Sequence, residues 1–120
     1  MRFENGLLFV GGQFVRGGFS VENGRFARVL EAPLPDEPRT DLDGALVIPG
    51  LVDLHTHGNS GADFSDGDLA GLTKMARYLA QNGVTSFAPA SMTLPYDVLE
   101  TAFRTAVQFH RESPADCAHL

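Results

Sequence analysis

Val47-Ile48-Pro49-Gly50-Leu51-Val52-Asp53-Leu54-His55-Thr56-His57-Gly58 is the stretch on which the reading of this chain turns. Pro49-Gly50 breaks the preceding segment. The apolar run that follows, bounded by Gly50 and Gly58, reads as a buried-type strand over Leu51 to His57. Residues two apart on a strand point to one face, so the imidazoles of His55 and His57 project together and can hold one metal ion. Asp53 lies on the same face one step earlier. Neutral imidazole suits Zn²⁺, Fe²⁺ and similar divalent ions, which polarise a substrate carbonyl and acidify water. Two surface histidines can share the same spacing. The ligand reading rests on context: the pair ends an apolar strand and a Gly-rich loop follows it.

Downstream, that loop runs from Gly58 to Gly67. Ser65 or Asp66 can cap a helix, with Asp68 placing a carboxylate in its positive first turn. Leu69, Leu72, Met75, Ala76 and Leu79 recur at helical spacing, and Gly83 offers a left-handed stop. Val84 to Ala88 reads as a second strand. Pro95 opens a second helix with an apolar stripe of Val98, Leu99, Ala102, Phe103, Ala106, Val107 and His110. Pro114 ends it, and Ala115 to Leu120 reads as the start of a third strand. This alternation of strands and helices indicates a parallel sheet.

Upstream, the first fifty residues read as short strands: Leu7 to Val10, Gln13 to Arg16, Phe19 to Val21, Arg25 to Leu30 and Asp41 to Ile48. Asn23-Gly24 is a strong hairpin signal, and Pro33, Pro35 and Pro38 mark a loop. The expected organisation is a small β-sandwich portion over 1–49, needing further strands from elsewhere, then an α/β portion over 50–120.

The 120 residues would suit one compact domain. Nine basic residues against 15 acidic, with a net charge of -6 and no cluster of Lys or Arg, argue against a nucleic-acid grip or a membrane-surface patch. The single Cys117 has no partner for an internal disulfide, and the N-terminus lacks the apolar core of a signal peptide, so the expected compartment is the cytoplasm.

Three stretches together resemble one family. VIPGLVDLHTHG looks like the first barrel strand of the amidohydrolase superfamily. HGNSGADFSDG (His57 to Gly67) and NGVTSFAPASMT (Asn82 to Thr93) look like the loop after that strand and the second strand of N-acetylglucosamine-6-phosphate deacetylases. The resemblance covers about residues 44 to 93. It implies the start of a (β/α)₈ TIM-type barrel, with two βα units and part of strand three. The implied reaction is metal-dependent hydrolysis of the acetamide of N-acetylglucosamine 6-phosphate to glucosamine 6-phosphate and acetate. His55 and His57 are then metal ligands for Zn or Fe, one or two ions per site. The family draws its other ligands from a Glu and two further His, and its general acid/base from an Asp on the last strand. This chain has no counterpart for these, so alone it is expected to be inactive. The implied partners are a small amino-sugar phosphate and a second copy in a homodimer, with neither nucleic acid nor membrane. Such a barrel usually takes about 250 residues.

Other polar residues have blander readings beside the functional ones. Asp53 can orient a histidine or simply bond nearby backbone. Asp63 and Asp66 can touch a sugar or shape the loop, and Ser60 with Gly58 and Gly61 can let backbone approach a ligand or only make a turn. Ser91 and Thr93 sit where a strand ends and a helix begins. His110 reads as packing or surface, His119 as a residue that can sit on the third strand with its role left open, and Cys117 as no nucleophile. Two other functions stay open: another amidohydrolase (a cyclic amidase or a deaminase), and a non-catalytic metal-binding or structural module.

Overall fold

The computed structural model describes residues 1–112 and 114–120, which form two compact units, Met1–Pro49 and Gly50–Leu120. The first unit is a single mixed sheet of β1 (Arg2–Val10), β2 (Gln13–Glu22), β3 (Arg25–Val29), β4 (Arg39–Asp41) and β5 (Leu46–Val47). β1, β2 and β3 form an antiparallel meander, and β4 and β5 both run parallel to β1. The sequence reading cut this region too finely. Gly17-Gly18 lies inside β2 instead of ending a strand, because a Cβ on Gly18 would run into the Phe3 carbonyl of the neighbouring strand. Conversely, Asp41 to Ile48 is not one strand, since a turn through Asp43 and Gly44, both at positive φ, separates β4 from β5.

Residues 1–49 form one sheet layer. Leu8 and Phe19 are buried, with Phe3 and Phe26 stacked or tilted on Phe19 at centroid distances of 5.0 and 5.1 Å. Yet Phe26 stays 67% exposed, beside an apolar hollow of about 240 Å³ lined in part by Val29, Val47 and Ile48. A sheet with one apolar face needs a second layer to bury it. Buried Arg2 donates to the Glu31 carbonyl (2.7 Å) and lies 3.7 Å from the Glu4 carboxylate.

The second unit is built around a parallel βαβ crossover: β6 (Leu51–Thr56), α1 (Leu69–Gln81) and β9 (Val84–Pro89). Between β6 and α1 lie a two-residue hairpin, β7 (Gly58–Asn59) and β8 (Ala62–Asp63), and a 3₁₀ turn over Phe64–Asp66. α2 (Tyr96–Glu112) follows, and the chain returns so that His119 bridges in parallel to Ser86. His119 exchanges main-chain hydrogen bonds with Thr85 and Phe87 (2.9 and 2.8 Å), so the expected third strand is a single bridge on the side of β9 away from β6. Leu72, Met75, Ala76 and Leu79 of α1 pack with Phe87, Ala102, Ala106 and Phe109 into the core, as the periodicity of α1 predicts. Among the described residues no helix is long and apolar enough to cross a membrane.

Three expectations need correction here. Leu51 to His57 is not buried: Leu51, Val52 and Leu54 are 54%, 59% and 79% exposed, because among the described residues β6 pairs with β9 alone. The N-cap of α1 is Asp68, which accepts from the Ala70 and Gly71 N–H groups. Ser65 and Asp66 belong instead to the preceding 3₁₀ turn, whose own capping box links Asp63 and Asp66. On α2 the buried stripe is Ala102, Ala106 and Phe109, while Phe103 and Val107 are half exposed and His110 lies on the surface, donating from Nδ1 to the Leu120 carbonyl.

Candidate metal centre

In a parallel pair the carboxyl ends of the strands share one edge, which is where ligands gather in α/β folds. β6 and β9 meet this way. The Ala90 N–H, just past β9, donates to the Thr56 carbonyl (2.8 Å), and the Met92 N–H donates to the Ser65 hydroxyl (3.2 Å). The loops after the two strands are therefore tied together around the end of β6.

His55 and His57 sit at this edge with their rings edge to face, centroids 4.9 Å apart, and their Nε2 atoms 3.2 Å apart. The His57 Nδ1 lies 2.8 Å from the Ala90 carbonyl. A carbonyl only accepts, so His57 Nδ1 carries the hydrogen. In the neutral ring Nε2 then holds a lone pair. That nitrogen lies 3.2 Å from the His55 Nε2. Holding one ring nitrogen on a carbonyl to present the other is how metal-binding histidines are commonly oriented.

The donor set fits two positions of a divalent ion. Metal–nitrogen bonds of about 2.0–2.1 Å at a tetrahedral angle put two nitrogens about 3.3 Å apart, close to the 3.2 Å observed. Among the described residues no group of three or more His, Cys, Asp or Glu is assembled to hold an ion.

The remaining candidates resolve mostly to local structure. Asp53 accepts the His55 N–H on Oδ1 (3.0 Å), the backbone role weighed above. Asp63 and Asp66 cap the 3₁₀ turn through the Ser65 and Asp63 N–H groups (2.8 and 3.0 Å). Ser60 and Gly61 make the hairpin turn at positive φ, and Gly58 has backbone so close that a Cβ would strike the Ala62 carbonyl. α2 begins after Pro95, whose carbonyl accepts the Leu99 N–H (3.1 Å), two residues beyond Thr93. Cys117 is buried, and burial together with the nearby Asp116 pushes its thiol above the usual range, against any nucleophilic role. Sequence reading missed the Ala90 carbonyl, because a main-chain acceptor leaves no trace in residue identity. The Ser65 contact to Met92 was equally hidden, since it joins residues 27 apart.

No protein-family model matches the chain. An N-acetylglucosamine-6-phosphate deacetylase from Mus musculus is 34% identical over 106 residues, covering 82% of this chain and 26% of the relative. The crystal structure of N-acetylglucosamine-6-phosphate deacetylase from Pasteurella multocida superposes with a TM-score of 0.81 over 98% of this chain and 32% of its own; at 23% identity this is a likeness of fold. A mutant of the Mycobacterium smegmatis enzyme, solved in complex with N-acetyl-D-glucosamine-6-phosphate, superposes with a TM-score of 0.70 at 25% identity, covering 93% of this chain and 29% of its own. These relatives are hydrolases of the amidohydrolase superfamily. The chain spans about a quarter of the length of the curated relatives it matches. Over the stretch that matches, the chain is similar in sequence and in fold to the N-terminal part of N-acetylglucosamine-6-phosphate deacetylases.

Proposed function

We propose that this chain supplies the His-x-His strand of a metal-dependent amino-sugar deacetylase. In a protein of the relatives' length the reaction is hydrolysis of the acetamide of N-acetylglucosamine 6-phosphate, giving glucosamine 6-phosphate and acetate. The observation that carries this reading is the convergence of the His55 and His57 Nε2 atoms to 3.2 Å at the carboxyl edge of a parallel βαβ unit. His55 and His57 would hold a divalent ion, Zn or Fe. Bound there, such an ion would supply Lewis-acid polarisation of the amide carbonyl and would acidify water. The chain's own residues do the positioning: the Ala90 carbonyl holds the His57 tautomer, and Ser65 ties the second loop to the first.

Residues 1–49 are proposed as part of a β-sandwich and 50–120 as the opening of a (β/α)₈ barrel. The order β6, β9, His119 supports this, since each parallel segment lies beside its predecessor with a helix between. The exposed Leu51, Val52 and Leu54 are the kind of surface that further strands and helices would cover. A cytoplasmic homodimer acting on a small sugar phosphate completes the proposal.

The test is the metal content of tag-free protein dialysed without chelator, with His55→Ala/His57→Ala as control. Bound Zn or Fe that disappears in the double variant supports the reading. Equal metal in both forms overturns it. For the reaction, a protein of the relatives' length is assayed on N-acetylglucosamine 6-phosphate against cyclic amides; turnover of only the latter would assign another amidohydrolase chemistry.

A further inference from the structure

We propose that Asp53 is the positioning residue of the histidine pair and acts through the main chain of His55. This inference rests on the metal reading above. The β6–β9 ladder slips within this segment: Asp53 faces Phe87 and Thr56 faces Pro89, so three steps along β6 match two along β9. An extra residue of this kind bends a strand and re-aims its side chains, and such irregularities gather beside active sites. His55 lies inside the slip, and its N–H donates to Asp53 Oδ1 at 3.0 Å.

The two histidines are held by different means. The His57 ring is fixed from outside β6 by the Ala90 carbonyl, 2.8 Å from Nδ1. The His55 ring is exposed and meets His57 through Nε2, so its direction depends on the backbone that Asp53 ties. Removing the carboxylate releases the His55 N–H to water and loosens the slip, while His57 stays anchored. The Nε2 atoms then lose their fixed separation. Only an acceptor oxygen at this position is required. Asparagine keeps one and alanine does not, which separates positioning from any attraction of the carboxylate for the ion's charge.

The experiment compares the tag-free 120-residue chain with Asp53→Asn, Asp53→Ala and His55→Ala/His57→Ala. Co²⁺ binding is followed by visible absorption, exchange of the His55 amide hydrogen by NMR, and retention of fold by circular dichroism. Loss of a group that orients a metal-binding histidine typically weakens affinity about tenfold or more. That loss is expected for Asp53→Ala, together with faster His55 amide exchange, whereas Asp53→Asn keeps most of the affinity and the protection. Wild-type affinity in Asp53→Ala overturns the proposal, as does an equal loss in Asn and Ala. Unchanged His55 amide exchange in Asp53→Ala overturns it independently of any metal. Cobalt binding identical in wild type and the double histidine variant instead refutes the metal reading, and the inference falls with it.

Discussion

Phe103 and Phe109 lie on the same helix and have opposite surroundings, which makes them a sharp test of how α2 packs. Phe109 is 2% exposed and meets Phe87 edge to face at a centroid distance of 6.4 Å, inside the core formed with α1. Phe103 is 53% exposed and touches Phe64 at 5.6 Å. Full burial of such a side chain is worth roughly 1.5–3 kcal/mol in transfer terms. Truncating it in a packed interior adds a cavity, which brings Phe→Ala to about 3–5 kcal/mol. At Phe103 only about half of the transfer term applies and solvent fills the space left, so about 1 kcal/mol is expected. The assay is urea denaturation followed by far-UV circular dichroism, comparing Phe103→Ala and Phe109→Ala. A domain of this size has little stability to spare, so Phe109→Leu is added in case Phe109→Ala does not fold; it should still be less stable than Phe103→Ala if its packing is lost. Phe103→Ala as destabilising as Phe109→Ala would refute the assigned face of α2.

Three further outcomes are expected. Asp116 is held below the usual carboxylate range by its hydrogen bond with Arg77 (2.6 Å). Its contribution is present above the unfolded pKa and lost as pH falls through the folded one, so Asp116→Asn should flatten the acid side of the stability profile while changing little below that range. Gly58→Ala drives a Cβ into the Ala62 carbonyl and should destabilise the β7–β8 hairpin by about 1–3 kcal/mol, read as a lowered midpoint in thermal melting. Buried Cys117, with its thiol pushed up, should react with an exposed-thiol reagent far more slowly in the native protein than in urea; equal rates would contradict its burial.

The histidine pair, the helix α1, the Asn23-Gly24 turn and the parallel βαβ order were legible from local pattern alone. Each depends on side-chain period or turn chemistry within a few residues, and these act before any distant contact forms. The α2 stripe was not legible in full. Its apolar residues wrap too far round the helix for periodicity to choose between the Phe103 and Phe109 sides, and only packing against α1 and β9 made that choice. The glycines of β2 were misread for a related reason: whether Gly18 ends a strand or admits a neighbour depends on where the Phe3 carbonyl lies.

At the candidate site the division is the same. Sequence alone determined that two imidazoles share the end of one strand, because alternation along an extended backbone is local geometry. Tertiary structure decided that their Nε2 atoms stand 3.2 Å apart with one tautomer set, because that needs the Ala90 carbonyl from β9's end, 33 residues away. It also decided that the Asp53 carboxylate ties the His55 backbone at a slip in the ladder. A strand's register is a property of two strands, and no pattern within one of them can encode it.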